Sequence, residues 1–134
     1  MSHYVVDTHA LLWHVSGSER LSPAAREILL AADQGAHHIF VPGIVLVEMI
    51  YLEERGRLIH DHVTHVFNLV ETIGGSYSIA KLDQATALAL REVPRSVVAD
   101  MPDRIIAATA RQLGLPLITR DAAIHRSGAV SVVW

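Results

Sequence analysis

Five short apolar runs recur along this chain, and each of the first four leads into or follows a stretch with helical spacing. The runs are His3–Val6, His38–Val41, Tyr77–Ala80, Pro116–Thr119 and Val130–Val133. Between them lie helix candidates at Thr8–His14, Pro23–Ala32, Ile44–Glu54, His60–Thr72, Gln84–Glu92 and Pro102–Leu113. In the second of these, Ala25, Ile28, Leu29 and Ala32 recur at three- and four-residue spacing, which puts them on one face. Ser22-Pro23 is a strong start signal, with Ser as cap and Pro in the first turn, and Gly35 is the stop. Strands separated by helices need right-handed crossovers. The expected fold is therefore α/β, a central parallel sheet with helices on both faces. At 134 residues, 51% of them hydrophobic, the chain is expected to form one domain, residues 1–134, with a real core.

Four acids stand at the joints of this pattern. Asp7 ends the first apolar run, and Asp121 follows the fourth. Asp103 opens the helix Arg104–Leu113, and Glu48 is the only charge between Ile44 and Leu52. In a parallel α/β sheet, functional groups gather beyond the carboxyl ends of the strands. Asp7 and Asp121 belong there if the strand ends are as read. Each acid also has an ordinary structural use. Asp7 could bond turn amides, Asp103 suits the first turn of any helix, Asp121 could be a loop acid, and Glu48 could pair with a buried Arg. Asp100 reads as the cap of the helix that Asp103 opens. Asp33, Asp61 and Asp83 read as surface or cap residues. Glu48 argues for a shared site, because a carboxylate on a mostly apolar helix is costly to desolvate unless a cation meets it. An all-oxygen cluster suits magnesium or manganese.

Other features exclude more than they assign. Cysteine is absent, so disulfides and thiolate metal sites are ruled out. The N-terminus lacks a basic leader, and no apolar run approaches the roughly 20 residues of a membrane span. A cytoplasmic protein with no membrane partner is expected. The net charge of −3 does not suggest a basic nucleic-acid binder, although ten of the eleven basic residues are Arg. Codon preference accounts for that bias as readily as phosphate binding does. In the patch His60, His62 and His65, the last two share a helix face but no third ligand is placed near them to make a zinc site, and the patch reads as solvated. His9 reads as packing or support near Asp7. The first joint, Asp7-Thr8-His9-Ala10, lacks the glycines of a dinucleotide-binding turn. It also lacks the paired acid of a receiver or phosphatase domain, and no Lys follows Lys81.

Five segments together resemble a known family. Val-Val-Asp-Thr-His-Ala-Leu-Leu-Trp (5–13) looks like the opening of PIN-domain ribonucleases, in particular the toxins of VapBC toxin–antitoxin pairs. Leu-Ser-Pro-Ala-Ala-Arg (21–26) and Pro-Gly-Ile-Val-Leu-Val-Glu-Met (42–49) resemble its next helices. Met-Pro-Asp-Arg-Ile-Ile-Ala-Ala-Thr-Ala (101–110) is the most diagnostic segment, and Gly-Leu-Pro-Leu-Ile-Thr-Arg-Asp (114–121) completes the series. Pro42-Gly43 departs from the family's more usual Ser-rich turn. The resemblance implies a Mg²⁺- or Mn²⁺-dependent endoribonuclease whose metal ligands are Asp7, Glu48, Asp103 and Asp121. It implies that Thr119 positions a ligand or water, and that a small antitoxin and a second copy of the chain are partners. Beside the resemblance, Arg104 and Arg120 flank two of these acids in sequence and are candidates to assist with phosphate. The expected antitoxin groove lies on two apolar helix faces, Ile44–Leu52 and Val63–Val70, with Met49 taken as one of its residues. The alternatives are a non-catalytic PIN-like interaction module and a Mg²⁺-dependent phosphatase-like domain.

Overall fold

The computed structural model describes residues 1–134 as a five-stranded, all-parallel sheet in the order β3-β2-β1-β4-β5. The strands are β1 (Ser2–Val6), β2 (His37–Pro42), β3 (Tyr77–Ala80), β4 (Leu117–Ile118) and β5 (Val132–Val133). The helices are α1 (Thr8–Val15), α2 (Pro23–Asp33), α3 (Gly43–Glu54), α4 (His60–Glu71), α5 (Gln84–Ala89), α6 (Met101–Leu113) and α7 (Ala122–Ser127), with a 3-10 turn at Leu90–Glu92. Strand order is what positions the site. The chain builds outward from β1 to β2 and β3, then returns to add β4 and β5 on the other side of β1. The reversal leaves a crevice beyond the carboxyl ends of β1 and β4, where parallel-sheet proteins place their ligands.

The central strands are buried on both faces, as a sheet covered by helices requires. Val5, Val6, Ile39, Val41, Leu117 and Ile118 are fully enclosed, packed with Leu11, Leu29, Met49 and Ile106 from the helices. Each such side chain contributes about 1.5–3 kcal/mol of burial. Met49 is fully buried, and Val63 and Val66 of α4 are buried too, so their expected place on an exposed groove is wrong: both helix faces pack into the core. Helix α3 turns Val45, Leu46 and Met49 inward and leaves Val47 and Tyr51 outward.

Five of the seven α-helices start at a side-chain cap. Ser22, Asp83 and Asp100 cap α2, α5 and α6 by accepting hydrogen bonds from backbone amides three residues on. Gly114 ends α6 in the left-handed region at φ 68°, where a side chain would be strained. Two expectations need correction. Pro42 closes β2 and Gly43 opens α3 directly, so no separate turn exists there. The six-residue helix α7, unread in the sequence, begins at Ala122 directly behind its cap Asp121. Asp33 is exposed, as expected, and also accepts a hydrogen bond from the Tyr77 hydroxyl at 2.7 Å and lies 2.8 Å from His14 Nε2, joining α2 to β3 and α1. No helix is long and apolar enough to cross a membrane.

Candidate active site

Asp7 stands first beyond β1, and its backbone amide still donates to the Ile118 carbonyl of β4 at 3.1 Å. Its side chain then caps α1, with Oδ1 accepting from the Ala10 amide at 2.8 Å. Oδ2 accepts from the Thr119 hydroxyl, which stands first beyond β4. Thr119 Oγ1 accepts in turn from the Asp121 amide at 3.0 Å. Asp121 caps α7 through a 2.8 Å bond from the Ile124 amide. Adjacent strand ends, one hydroxyl and two capping acids thus form a continuous network.

The other two acids come in from the flanking helices. Asp103 lies in the first turn of α6, where Asp100 Oδ2 accepts from its amide at 3.4 Å. Glu48 projects from α3, and its Oε1 accepts from the Thr8 hydroxyl at 2.5 Å, one residue beyond Asp7. No arginine pairs with it. A cavity of about 420 Å³ is lined by Asp7, Asp103, Asp121, His9, Arg20 and Arg120, with Trp13 as its one apolar wall. Glu48 lines the adjoining cavity with Asp100 and His9. The fold therefore brings Asp7, Asp103, Asp121 and Thr119 together and sets Glu48 at their margin. No three acidic or histidine side chains already stand as a finished ligand set.

Electrostatics report the crowding. The Asp103 carboxyl is pushed up to about 7, first by burial and then by the negative charges of Asp121, Asp100, Glu48 and Asp7. Burial also raises Asp7, against the opposing hydrogen bonds from Thr119 and Ala10. The N-termini of α1, α6 and α7 meet these acids and offset part of the repulsion. What remains is a cluster of hard oxygen donors with no protein cation paired to any of them. That chemistry fits a hard divalent ion such as magnesium or manganese.

Several side chains differ from their sequence reading. Arg104 does not face the acids. Its guanidinium donates to the Leu90 carbonyl at 2.8 Å and the Val93 carbonyl at 2.9 Å, closing the 3-10 turn instead. Arg120 remains at the cavity, held over the Trp13 ring at 5.7 Å. His60 lies 3.0 Å from Glu53, exposed, and has a local partner. Thr8, Trp13 and Arg20 were not singled out by sequence reasoning. An Asp-Thr pair at a strand end was the available signal for Thr8, since the second residue begins a helix beside the first.

The family model for the PIN domain matches residues 4–129. Ribonuclease VapC22 of Mycobacterium tuberculosis (strain ATCC 25618 / H37Rv) is 32% identical over an alignment that covers all of both chains. Among solved structures, VapBC2 from Rickettsia felis bound to a promoter DNA fragment aligns with a TM-score of 0.72 at 14% identity, over 98% of this chain and 97% of that one. A toxin–antitoxin complex from Klebsiella pneumoniae aligns with a TM-score of 0.67 at 21% identity, over 98% and 96%. Those two likenesses establish the fold. The family match and the full-length relative go further, and the chain belongs to the PIN-domain family.

Proposed function

We propose that this chain is a Mg²⁺- or Mn²⁺-dependent endoribonuclease, the toxin of a VapBC-type toxin–antitoxin pair, and that it acts in the cytoplasm. The observation that carries the reading is the convergence of Asp7, Asp103 and Asp121 on one cavity at the β1/β4 crevice, with Glu48 beside it. The relative in M. tuberculosis is named a ribonuclease, and the solved neighbours include toxin–antitoxin complexes.

In this reading Asp7, Glu48, Asp103 and Asp121 hold the ion. When bound, the ion would neutralise the phosphate and acidify the attacking water. The chain's own residues set the stage for it. Thr119 fixes the rotamer of Asp7 by hydrogen bonding to Oδ2, and Thr8 does the same for Glu48. Arg120, whose guanidinium lies 5.7 Å from the Trp13 ring centre at the same cavity and in no ion pair with the acids, would offer that guanidinium to a phosphate oxygen.

The antitoxin surface is assigned to the groove between α3 and the start of α6, lined by Ile44, Val47, Tyr51, Leu52 and Met101. Val47, Tyr51 and Met101 are 49%, 56% and 61% exposed, an apolar surface adjoining Glu48. Part of the same surface would serve a homodimer. The test is incubation of end-labelled single-stranded RNA with the purified chain in EDTA, Mg²⁺ and Mn²⁺. Cleavage confined to the two metal arms is expected, and absence of cleavage in all three would remove the reading.

A further inference from the structure

A second cavity opens from the acidic one and shares a wall with it. It measures about 460 Å³ and lies between α1 and the α3–α4 connection. His9, Trp13 and Arg20 line both cavities. Beyond them, Arg57, His62 and the Leu58–Ile59 pair continue the groove. The acidic cavity presents carboxylates, whereas this one presents arginines and an aromatic wall, with no acid lining it.

The arginines divide by use. Arg26, Arg104 and Arg111 donate to backbone carbonyls or to Glu92. Arg20 and Arg57 are exposed, and none of the three ion pairs of the protein includes them. Arg20 stays unpaired even though it shares a cavity with Asp7, Asp103 and Asp121. Trp13 is half-buried, with the His9 and Trp134 rings tilted against it at 5.7 Å and 5.8 Å and the Arg120 guanidinium 5.7 Å from its ring centre, so the aromatic wall is preset and already carries one cation at its edge toward the acids. Fixed aromatics beside free guanidinium groups are the combination that grips single-stranded nucleic acid, by stacking bases and pairing phosphates.

We propose that this groove is the subsite for the nucleotides flanking the cut on one side. The base next to the scissile phosphate packs against Trp13 and His9, and the following phosphates meet Arg20 and Arg57. The proposal rests on the ribonuclease reading and adds the direction in which the strand leaves the acids. It also accounts for how an acidic protein holds a polyanion: the positive charge lies on the exit path, and the negative charge lies at the ion.

Binding of fluorescent single-stranded RNA of two and of eight nucleotides, read by anisotropy in an Asp103→Asn background, tests the groove apart from cleavage. The longer strand should bind more tightly. Arg20→Gln with Arg57→Gln should abolish that gain and flatten the salt dependence by about 1.4 in log–log slope, at roughly 0.7 per lost phosphate contact. Trp13→Leu should weaken the longer strand about tenfold, and Trp13→Phe should restore most of it. In otherwise wild-type protein with Mg²⁺, the double Arg variant should lose the preference for long over short substrates. An unchanged length preference and salt slope would overturn the assignment, as would competition by polyglutamate equal to that of the RNA. A chain that cuts no RNA with any divalent ion would instead fail the ribonuclease reading, and the anisotropy series would still read the groove.

Discussion

Thr119 donates its hydroxyl hydrogen to Asp7 across 112 positions of sequence, and through it the ends of β1 and β4 become one site. The same oxygen accepts from the Asp121 amide, so a single buried hydroxyl orients two acids. Thr119→Val keeps the shape and removes both bonds. Turnover on RNA should fall by about 10–100-fold, the range for losing a group that orients metal ligands. Thr119→Ser should retain most of the activity. Equal kcat/KM for the Val variant and the wild type would show that Asp7 needs no such support.

Charge removal should uncouple stability from activity. Asp7, Asp103 and Asp121 repel one another, and burial penalises the first two in their ionised form. Asp103→Asn should therefore melt at or above the wild-type temperature in EDTA at pH 8 while losing activity. Calorimetry checks this, and a marked drop in melting temperature would mean that Asp103 is chiefly structural.

The sign of the pH dependence follows from Asp103. Its carboxyl titrates near 7 in the fold against 3.8 as the ordinary value. Between those limits the folded protein holds a proton that the unfolded chain has released. Stability from this group is present at low pH, falls as pH rises through the window, and levels off above about 7. Asp7, raised by burial, acts in the same direction. His38, lowered by burial and by His3, gives the opposite slope below its usual 6.5. The difference between wild type and Asp103→Asn isolates the effect. In EDTA, the variant's relative stability should grow from pH 5 to pH 8, and added Mg²⁺ at pH 8 should close the gap. A flat difference would contradict the crowded-acid account.

The α3–α6 groove yields a separate expectation. The chain should scatter light as a dimer at micromolar concentration. Val47→Glu, on the exposed face of α3, should weaken capture of the co-expressed small neighbouring protein by about tenfold or more, as loss of an interface anchor does. Unchanged capture would move the antitoxin elsewhere. Met49 is unsuited to this test because a charge there would strike the core.

Much of this arrangement was legible in residue patterns, for physical reasons. Alternation of short apolar runs with helix-spaced segments encodes a parallel sheet, and all five strands lie where that pattern puts them. Acids at strand ends and helix starts are local signals, so Asp7, Asp103 and Asp121 could be named before any contact was known. Pairing across the sheet is not a local signal. That Thr8 would meet Glu48 over 40 positions, or that Arg104 would turn back to the Leu90 carbonyl, depends on helix rotation and loop closure. Helix α7 escaped notice because six residues give too short a period, and only its Asp121 cap and Gly128 stop marked it. Met49 was misplaced because α3 is apolar nearly all round, so its sequence does not say which face is inside.

The central claim is that these carboxylates cut RNA through a divalent ion. The most direct measurement is single-turnover cleavage of end-labelled single-stranded RNA during a stepwise Mg²⁺ titration, run in parallel for wild type, Asp7→Asn and Asp103→Asn. The wild type should show no cleavage in EDTA and a saturable rise with Mg²⁺. Both variants should be slower by about three orders of magnitude at saturation, the scale of several kcal/mol of charge stabilisation. Metal-independent cleavage by the wild type, or wild-type rates from either variant, would contradict the account.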